Sequence, residues 1–399
     1  MSLKVFSRKP VMALLMAAAV AVMTGCSSTY EEPEQECDGS VVMATTWLRL
    51  NVCLNNPLSE PTRAGQYGDY DFELPVSRYE NIRSLRVIVA SMTDGGPVVE
   101  ISRRYDFDSD GVSQWSATYE VKANDRKRVY LIANADDADV EMADGTLLSD
   151  YVKGTRLTSA FLDAAIVLKE NGVVADNGGD SARYIPMSEF FDVEVGPVAG
   201  SSKDHPYEAD LFITRAASKF SFIIDPESTL SAPFEVKRII IDNIAGKTWL
   251  FPHDTEYLPS KYTPSGEKYE GRLITTFTVP SDADARPLAM TSSGLSWNPA
   301  SPGYASSWAS PIYVAESALP AAGHYTISIE GKGVGCDDAT VTLGPVTLDN
   351  LPSLPRNTHV VVKMKLSDAD LSLNVDLVPY KSVTLDPDFG LDIKQSARL

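Results

Sequence analysis

Hydrophobic and polar residues alternate with a period of two along most of this chain. Residues 48–54 (LRLNVCL) put Leu48, Leu50, Val52 and Leu54 on one side and Arg49, Asn51 and Cys53 on the other. That is the pattern of a strand with one buried face. Similar segments recur at 84–91, 97–107, 116–123 and 128–136, and, after YIPMS and FFDVEV, at 210–224, 236–244, 273–279, 324–330, 339–343, 359–366 and 371–378. Gly, Pro, Asn and Asp clusters separate them, as turns require. RVYLIANAD (128–136) is a continuous apolar run and predicts a central strand. The one segment that reads as a helix is 159–171 (SAFLDAAIVLKEN), with Thr158 or Ser159 as its cap and Gly172 as its stop. The pattern therefore predicts an all-β fold with minor α content, arranged as two β-sandwiches, the second opening near 203.

The N-terminus follows a different rule. Lys4, Arg8 and Lys9 precede an unbroken apolar run over 11–23, too short to span a bilayer and suited to a signal-peptide core. The run ends in Met23-Thr24-Gly25-Cys26, which looks like a bacterial lipobox. Cleavage before Cys26 and acylation of its thiol, by chains such as palmitate, would anchor the chain stably, because two or three acyl chains suffice where one does not. An ordinary signal peptide with a chance cysteine is the blander alternative. Residues 27–36 (SSTYEEPEQE) read as an acidic tether.

Charge narrows the function classes. The 399 residues carry 35 Lys+Arg against 54 Asp+Glu, a net charge of −19; loss of residues 1–25 takes three cations with it and brings the net to −22. Such an excess of acid argues against a nucleic-acid partner. Cys37, Cys53 and Cys336 show no CxxC pair or metal-ligand spacing. An exported chain permits one disulfide among them, and the spacing does not choose the pair. The four histidines form no HExxH or ligand-spaced pair, and no G-x-S-x-G, P-loop or G-x-G-x-x-G is present. No cofactor and no enzyme activity are expected. Asp106-Phe107-Asp108-Ser109-Asp110-Gly111 matches the start of a calcium loop, but the twelfth position is Ala117 instead of Glu, so a hairpin turn between two strands is the better reading. Asp180-Ser181-Ala182 fits a short O-glycosylation pattern at Ser181.

Several fragments, in order, carry a family resemblance. They are the lipobox Cys26, the first strand, a loop with Thr62-Arg63-Ala64-Gly65, the strand Ile82–Ser91, RVYLIAN (128–134), Ile185-Pro186-Met187-Ser188, ITRAASKFSF (213–222), IYVAE (312–316) and Arg356-Asn357. Together they resemble the FimA-type fimbrillins of Bacteroidetes, the lipoprotein subunits of type V pili. The acidic stretch after Cys26 likewise resembles the surface-export signal of Bacteroidetes lipoproteins. The resemblance implies two transthyretin-like β-sandwich domains in tandem and a location at the outer membrane, the cell surface and the fimbrium. It implies an arginine-specific protease that cuts at Arg63–Ala64, loss of the first strand, and its replacement by a strand from a neighbouring subunit.

On this reading the chain divides into a signal peptide (1–25), a tether plus first strand as a pro-segment (26–63), two sandwiches (64–203 and 204–380) and a C-terminal donor strand (381–399). Val383, Leu385, Phe389, Leu391 and Ile393 share one face of that last segment, with Pro387 in register, and Thr384, Asp386, Asp388 and Asp392 share the other. Its period matches that of Leu48, Leu50, Val52 and Leu54, so one strand can take the place of the other. The partners expected are other pilin subunits in a homo- or heteropolymer that mediates adhesion. The alternatives are an anchor or tip subunit of the same system, or a non-polymerising surface lipoprotein that binds glycans. A further alternative is that 383–393 closes the chain's own second sandwich.

Overall fold

The computed structural model describes residues 44–54, 78–167, 184–199, 201–225, 227–253, 285–291, 295–300, 312–317, 325–333, 340–348, 351, 353–354, 356–368 and 371–378. Within them the fold is all-β, as the period-two pattern predicts, with one helical turn and two short 3-10 segments.

The first half contains β1 (Thr45–Leu54), β2 (Ser84–Ser91), β3 (Val98–Asp106), β4 (Gln114–Lys122), β5 (Asp125–Ala133), β6 (Val140–Glu141), the helical turn α1 (Ser159–Leu162), β7 (Ala165–Val167), β8 (Met187–Val195) and β9 (Tyr207–Arg215). Seven of these strands form a sheet in the order β3-β2-β5-β8-β9-β1-β4. β1 is parallel to β9 and antiparallel to β4. The link between β8 and β9 is brief, covering Met187↔Arg215 and Ser188↔Thr214. The sheet folds at that link so that one core holds side chains from both parts: Leu50, Val52, Tyr119 and Leu211 meet Leu85, Val87, Val129 and Phe191. The two ends of the sheet are joined by side chains, with the Tyr105 and Tyr119 hydroxyls 2.9 Å apart. Glu100 bridges the same ends: it accepts from the Lys122 backbone and from the fully buried Lys127 ammonium, at 3.2 and 2.9 Å.

β5 explains its own unbroken apolar run. Val129 and Leu131 point into this first core, while Tyr130 and Ile132 join a second, where Phe161, Phe190 and Phe251 pack around the Tyr130 ring. A strand buried on both faces has no polar period.

The second half contains β10 (Ala217–Ile224), β11 (Phe234–Ala245), β12 (Lys247–Trp249), β13 (Ala285–Thr291), β14 (Ser296–Trp297), β15 (Ile312–Ala315), β16 (Thr326–Gly333), β17 (Val341–Thr347), β18 (His359–Leu366) and β19 (Leu371–Val378). One sheet runs β15-β10-β18-β19, with β10 parallel to β18, and another β13-β11-β16-β17, with β14 beside β11. Phe220, Phe222, Ile239, Ile327 and Val360 share a third core. A small sheet, β12-β7-β6, ties the halves together.

Several segments depart from the sequence pattern: β13 and β14 fall where no strand is expected, and the strand expected at 273–279 lies outside the described residues. The helix expected over 159–171 is a single turn, after which Ala165–Val167 forms β7 between β6 and β12. β-branched Ile166 and Val167 suit that strand better than a helix. DLFITRAASKFSFII is two strands in two different sheets, parted at Ala216. The Asp110-Gly111 turn is not a hairpin, because β3 and β4 lie at opposite ends of their sheet. It is a crossover pinned by a bridge between Ile82 and Val112. Gly111 is required there: its φ is +65°, and a Cβ would lie 2.8 Å from the Ile82 carbonyl oxygen.

Candidate functional site

β1 is the candidate exchangeable element, and the structure places it between two neighbours. Leu48, Leu50 and Val52 are fully buried and Leu54 is 7% exposed. They project into the first core opposite β2, β5 and β8. Burying four such side chains contributes roughly 1.5–3 kcal/mol each, or about 6–12 kcal/mol in all as an upper estimate. A whole domain is stable by only about 5–15 kcal/mol. Loss of β1 without replacement would therefore consume most of the stability of its half.

Among the described residues, backbone and side-chain bonds tie both ends of β1. The Leu54 amide donates to the Ser113 carbonyl at 3.0 Å, and the Ala123 amide to the Ala44 carbonyl at 2.9 Å. The Ser201 hydroxyl lies 3.3 Å from both the Trp47 amide and its carbonyl oxygen. On the outer face an Arg49 guanidinium nitrogen is 3.1 Å from Glu208, and the Asn51 amide donates to Asp210 at 2.7 Å. Cys53 carries a free thiol 3.6 Å from the Leu211 carbonyl oxygen. Burial, reinforced by the Asp210 charge, pushes that thiol up to about 11, so it stays protonated and unreactive near neutral pH.

The elements flanking the slot are held by buried and half-buried polar groups that the sequence pattern does not mark as site residues. Glu80, in the 3-10 turn Arg78–Glu80, accepts from the Lys219 ammonium at 2.7 Å and from the Tyr313 hydroxyl at 2.6 Å. Arg215, at the end of β9, donates to the Glu80 carbonyl at 3.2 Å and to the Asn357 side chain at 3.1 Å. Burial pulls Lys219 below the usual lysine range, against the opposing effect of Glu80. Arg356 pairs with Glu316 at 2.7 Å and donates to the Trp249 carbonyl at 3.0 Å. Glu189, 1% exposed on β8, accepts from the Thr214 hydroxyl at 2.8 Å. Burial pushes its carboxyl up to about 8, so near neutral pH it is largely protonated. Asn134, at φ +57°, accepts from the Arg83 and Ser84 amides and donates to the Asn81 and Ile185 carbonyls. Arg215, Lys219, Tyr313, Glu316, Arg356, Asn357 and Asn134 all fall in the fragments that carry the family resemblance; for Lys219, a charged residue inside an apolar strand was the available signal.

The remaining sequence-predicted sites divide in two. Asp106 pairs with Arg104 at 3.0 Å, and Asp108 accepts from the Asp110 amide at 3.3 Å. Among the described residues, no group of three or more His, Cys, Asp or Glu side chains is placed to hold a metal ion. Cys26, Cys37, Arg63, Ala64, Ser181, Cys336 and the segment from Val383 through Leu385, Phe389 and Leu391 to Ile393 lie outside the described residues.

A candidate cell adhesion protein from Parabacteroides distasonis superposes with a TM-score of 0.53 at 13% identity, covering 86% of this chain and 99% of its own. The chain shares that protein's fold. Two further solved structures match less closely. The tip fimbrial protein Mfa3 from Porphyromonas gingivalis, with a C-terminal truncation, has a TM-score of 0.49 at 10% identity, covering 84% of this chain and 100% of its own. A candidate cell adhesion protein from Bacteroides eggerthii has a TM-score of 0.47 at 12% identity, covering 84% of this chain and 96% of its own. No family model matches the sequence. No curated protein matches it either.

Proposed function

We propose that this chain is a subunit of a surface fimbrium that mediates adhesion, and that it assembles by exchange of β1 for a strand of a neighbouring subunit. The observation that carries this reading is the position of β1. It is an interior strand, parallel to β9 and antiparallel to β4, and its four aliphatic side chains fill the core. Cutting the chain between β1 and the Arg78–Glu80 turn severs the covalent link between β1 and the rest of the fold. The departing strand then leaves two sheet edges and an apolar groove, which template an incoming strand of the same period.

In this scheme Cys26 is lipidated and holds the precursor at the outer membrane. An arginine-specific protease cuts at Arg63–Ala64. The C-terminal segment bearing Val383, Leu385, Phe389, Leu391 and Ile393 is donated to a neighbouring subunit, and head-to-tail addition of subunits, identical or different, gives an open filament. The role is structural and adhesive, with no catalytic step and no cofactor. The fold shared with a candidate cell adhesion protein supports a role at the cell surface. N-terminal sequencing of the surface-assembled protein tests the scheme. A start at Ala64 is the expected result. An acylated Cys26 with β1 retained would overturn strand exchange and leave an anchor or a monomeric surface lipoprotein.

A further inference from the structure

Resting on the strand-exchange reading, we propose that the β1 slot selects its occupant by charge. It takes a strand from a different subunit, apolar at alternate positions and basic or amide-bearing between them, and discriminates against the C-terminal segment of a second copy of this chain.

The outer face of β1 carries Arg49 and Asn51. Arg49 lies level with Glu208 on β9 and Thr118 on β4; Asn51 lies level with Asp210 and Ser116. Each carboxylate facing the strand is served by a donor of β1 itself. Arg49 serves Glu208 at 3.1 Å, Asn51 serves Asp210 at 2.7 Å, and the Thr45 hydroxyl serves Glu120 at 2.5 Å. Basic groups occur at the other end of the slot, where Lys122 is level with Thr45 and the Lys203 ammonium is 6.0 Å from the Trp47 ring. The middle of the slot is therefore acidic along its β9 wall, and the facing β4 positions are uncharged. Departure of β1 takes away the cation and the amide that those acids hold.

The chain's own C-terminal segment fits the apolar side of this slot and not its outer face. Between its inward residues it carries Thr384, Asp386, Asp388, Gly390 and Asp392. Four consecutive inward positions drawn from Val383, Leu385, Pro387, Phe389, Leu391 and Ile393 can replace Leu48, Leu50, Val52 and Leu54 in several registers. Every one of them, parallel or antiparallel, sets at least one aspartate level with Glu208 or Asp210. Like charges on adjacent strands repel. The excess of acid along the chain, 54 Asp+Glu against 35 Lys+Arg over the full sequence, adds a longer-range penalty to self-association. A partner strand bearing Lys, Arg or Asn at those positions restores the contacts made by Arg49 and Asn51.

The test uses the full chain with a specific protease site placed within 55–77, nicked so that β1 remains seated without a covalent link. Three synthetic peptides compete for the slot: β1 itself (44–54), residues 381–395, and residues 381–395 with Asp386→Lys, Asp388→Lys and Asp392→Lys. Released β1 fragment is quantified by mass spectrometry. At low salt the lysine peptide should displace β1 about 3- to 10-fold more effectively than the unmodified 381–395 peptide. That advantage should shrink near 0.5 M salt, where the Debye length is only a few ångströms, and disappear in a Glu208→Gln/Asp210→Asn protein. Equal displacement by the two C-terminal peptides overturns the charge rule and leaves strand exchange intact. So does a preference that survives in the double variant. Failure of the β1 peptide itself to exchange overturns strand exchange, and the charge rule with it.

Discussion

Leu50→Ala separates two states of this protein that most core substitutions would affect alike. Leu50 is fully buried in the middle of β1, level with Ala209 and Ala117 on its neighbours. Truncating a leucine at such a site costs about 2–5 kcal/mol, from lost transfer energy and the cavity left behind. For a half-molecule of this size, each kcal/mol lowers the melting temperature by about 2–4 °C, so the uncut precursor should melt roughly 5–15 °C lower than its parent. If β1 is replaced during assembly, residue 50 is absent from the filament, and filaments grown from the mutant precursor should melt like the wild type. Differential scanning calorimetry of purified precursor and purified filaments reads both values. A filament destabilised as much as its precursor would show that β1 is still in place and would refute strand exchange. A precursor that melts normally would refute the packing assigned to Leu50.

Arg63→Ala should give a full-length, membrane-associated lipoprotein that does not enter high-molecular-weight polymers; normal polymers on a denaturing gel would rule out cleavage there. Deleting 381–399 should leave a folded chain that cannot extend filaments, as judged by electron microscopy and thermal melting. Failure of that variant to fold would make 383–393 a strand of its own half. Glu80→Ala leaves the buried Lys219 ammonium without its carboxylate and should cost about 3–5 kcal/mol in a denaturant melt; a change below about 1 kcal/mol would refute the junction role of Glu80. Glu189 has a folded-state pKa raised to about 8, so the folded state holds a proton that the unfolded state releases. Its burial therefore costs nothing at pH 4 and progressively more as pH rises through the window from about 4.5 to 8. Glu189→Gln should leave stability at pH 4 nearly unchanged and raise it at pH 8 by a few kcal/mol; an unaltered pH–stability profile would show that Glu189 is not held neutral.

How much of this was legible in the sequence depends on what fixes each element. β1 and β5 are readable because burial alone dictates their residues: one face for Leu48, Leu50, Val52 and Leu54, both faces for Val129 to Ile132. The break at Ala216 is not readable, since no Gly or Pro marks it and the neighbouring Arg215 is held by Glu80 and Asn357, both distant in sequence. The region after Leu162 misleads for a related reason. Phe161, Ala164 and Ala165 recur at helical spacing, yet β7 is set by pairing with β6 and β12. Lys219, Glu80, Arg356 and Glu316 are residue types expected at the surface, and only their pairing permits burial. The crossover at Gly111 looks like a hairpin because local residues specify a turn without specifying which strands it joins.

If β1 exchanges as proposed, the same distinction separates the exchangeable part of the fold from the permanent part. β1 is held by aliphatic burial, by a backbone ladder and by pairs on its outer face. A ladder and an apolar groove accept any strand of period two, so these forces retain a strand without demanding this particular one. The walls of the slot are held differently. β9 is fixed at Arg215 by Glu80 and Asn357, the chain after β9 by Lys219 with Glu80, and the start of β2 by Asn134. None of these groups belongs to β1. Buried ion pairs and directed hydrogen bonds tolerate no substitute partner, because an unpaired member costs several kcal/mol. Removal of β1 therefore takes apolar burial from the core while the polar contacts that position β9 and β2 stay complete. If β1 leaves, the groove persists as a groove, and the outer row, where Glu208 and Asp210 lose their donors, is what distinguishes incoming strands of equal period.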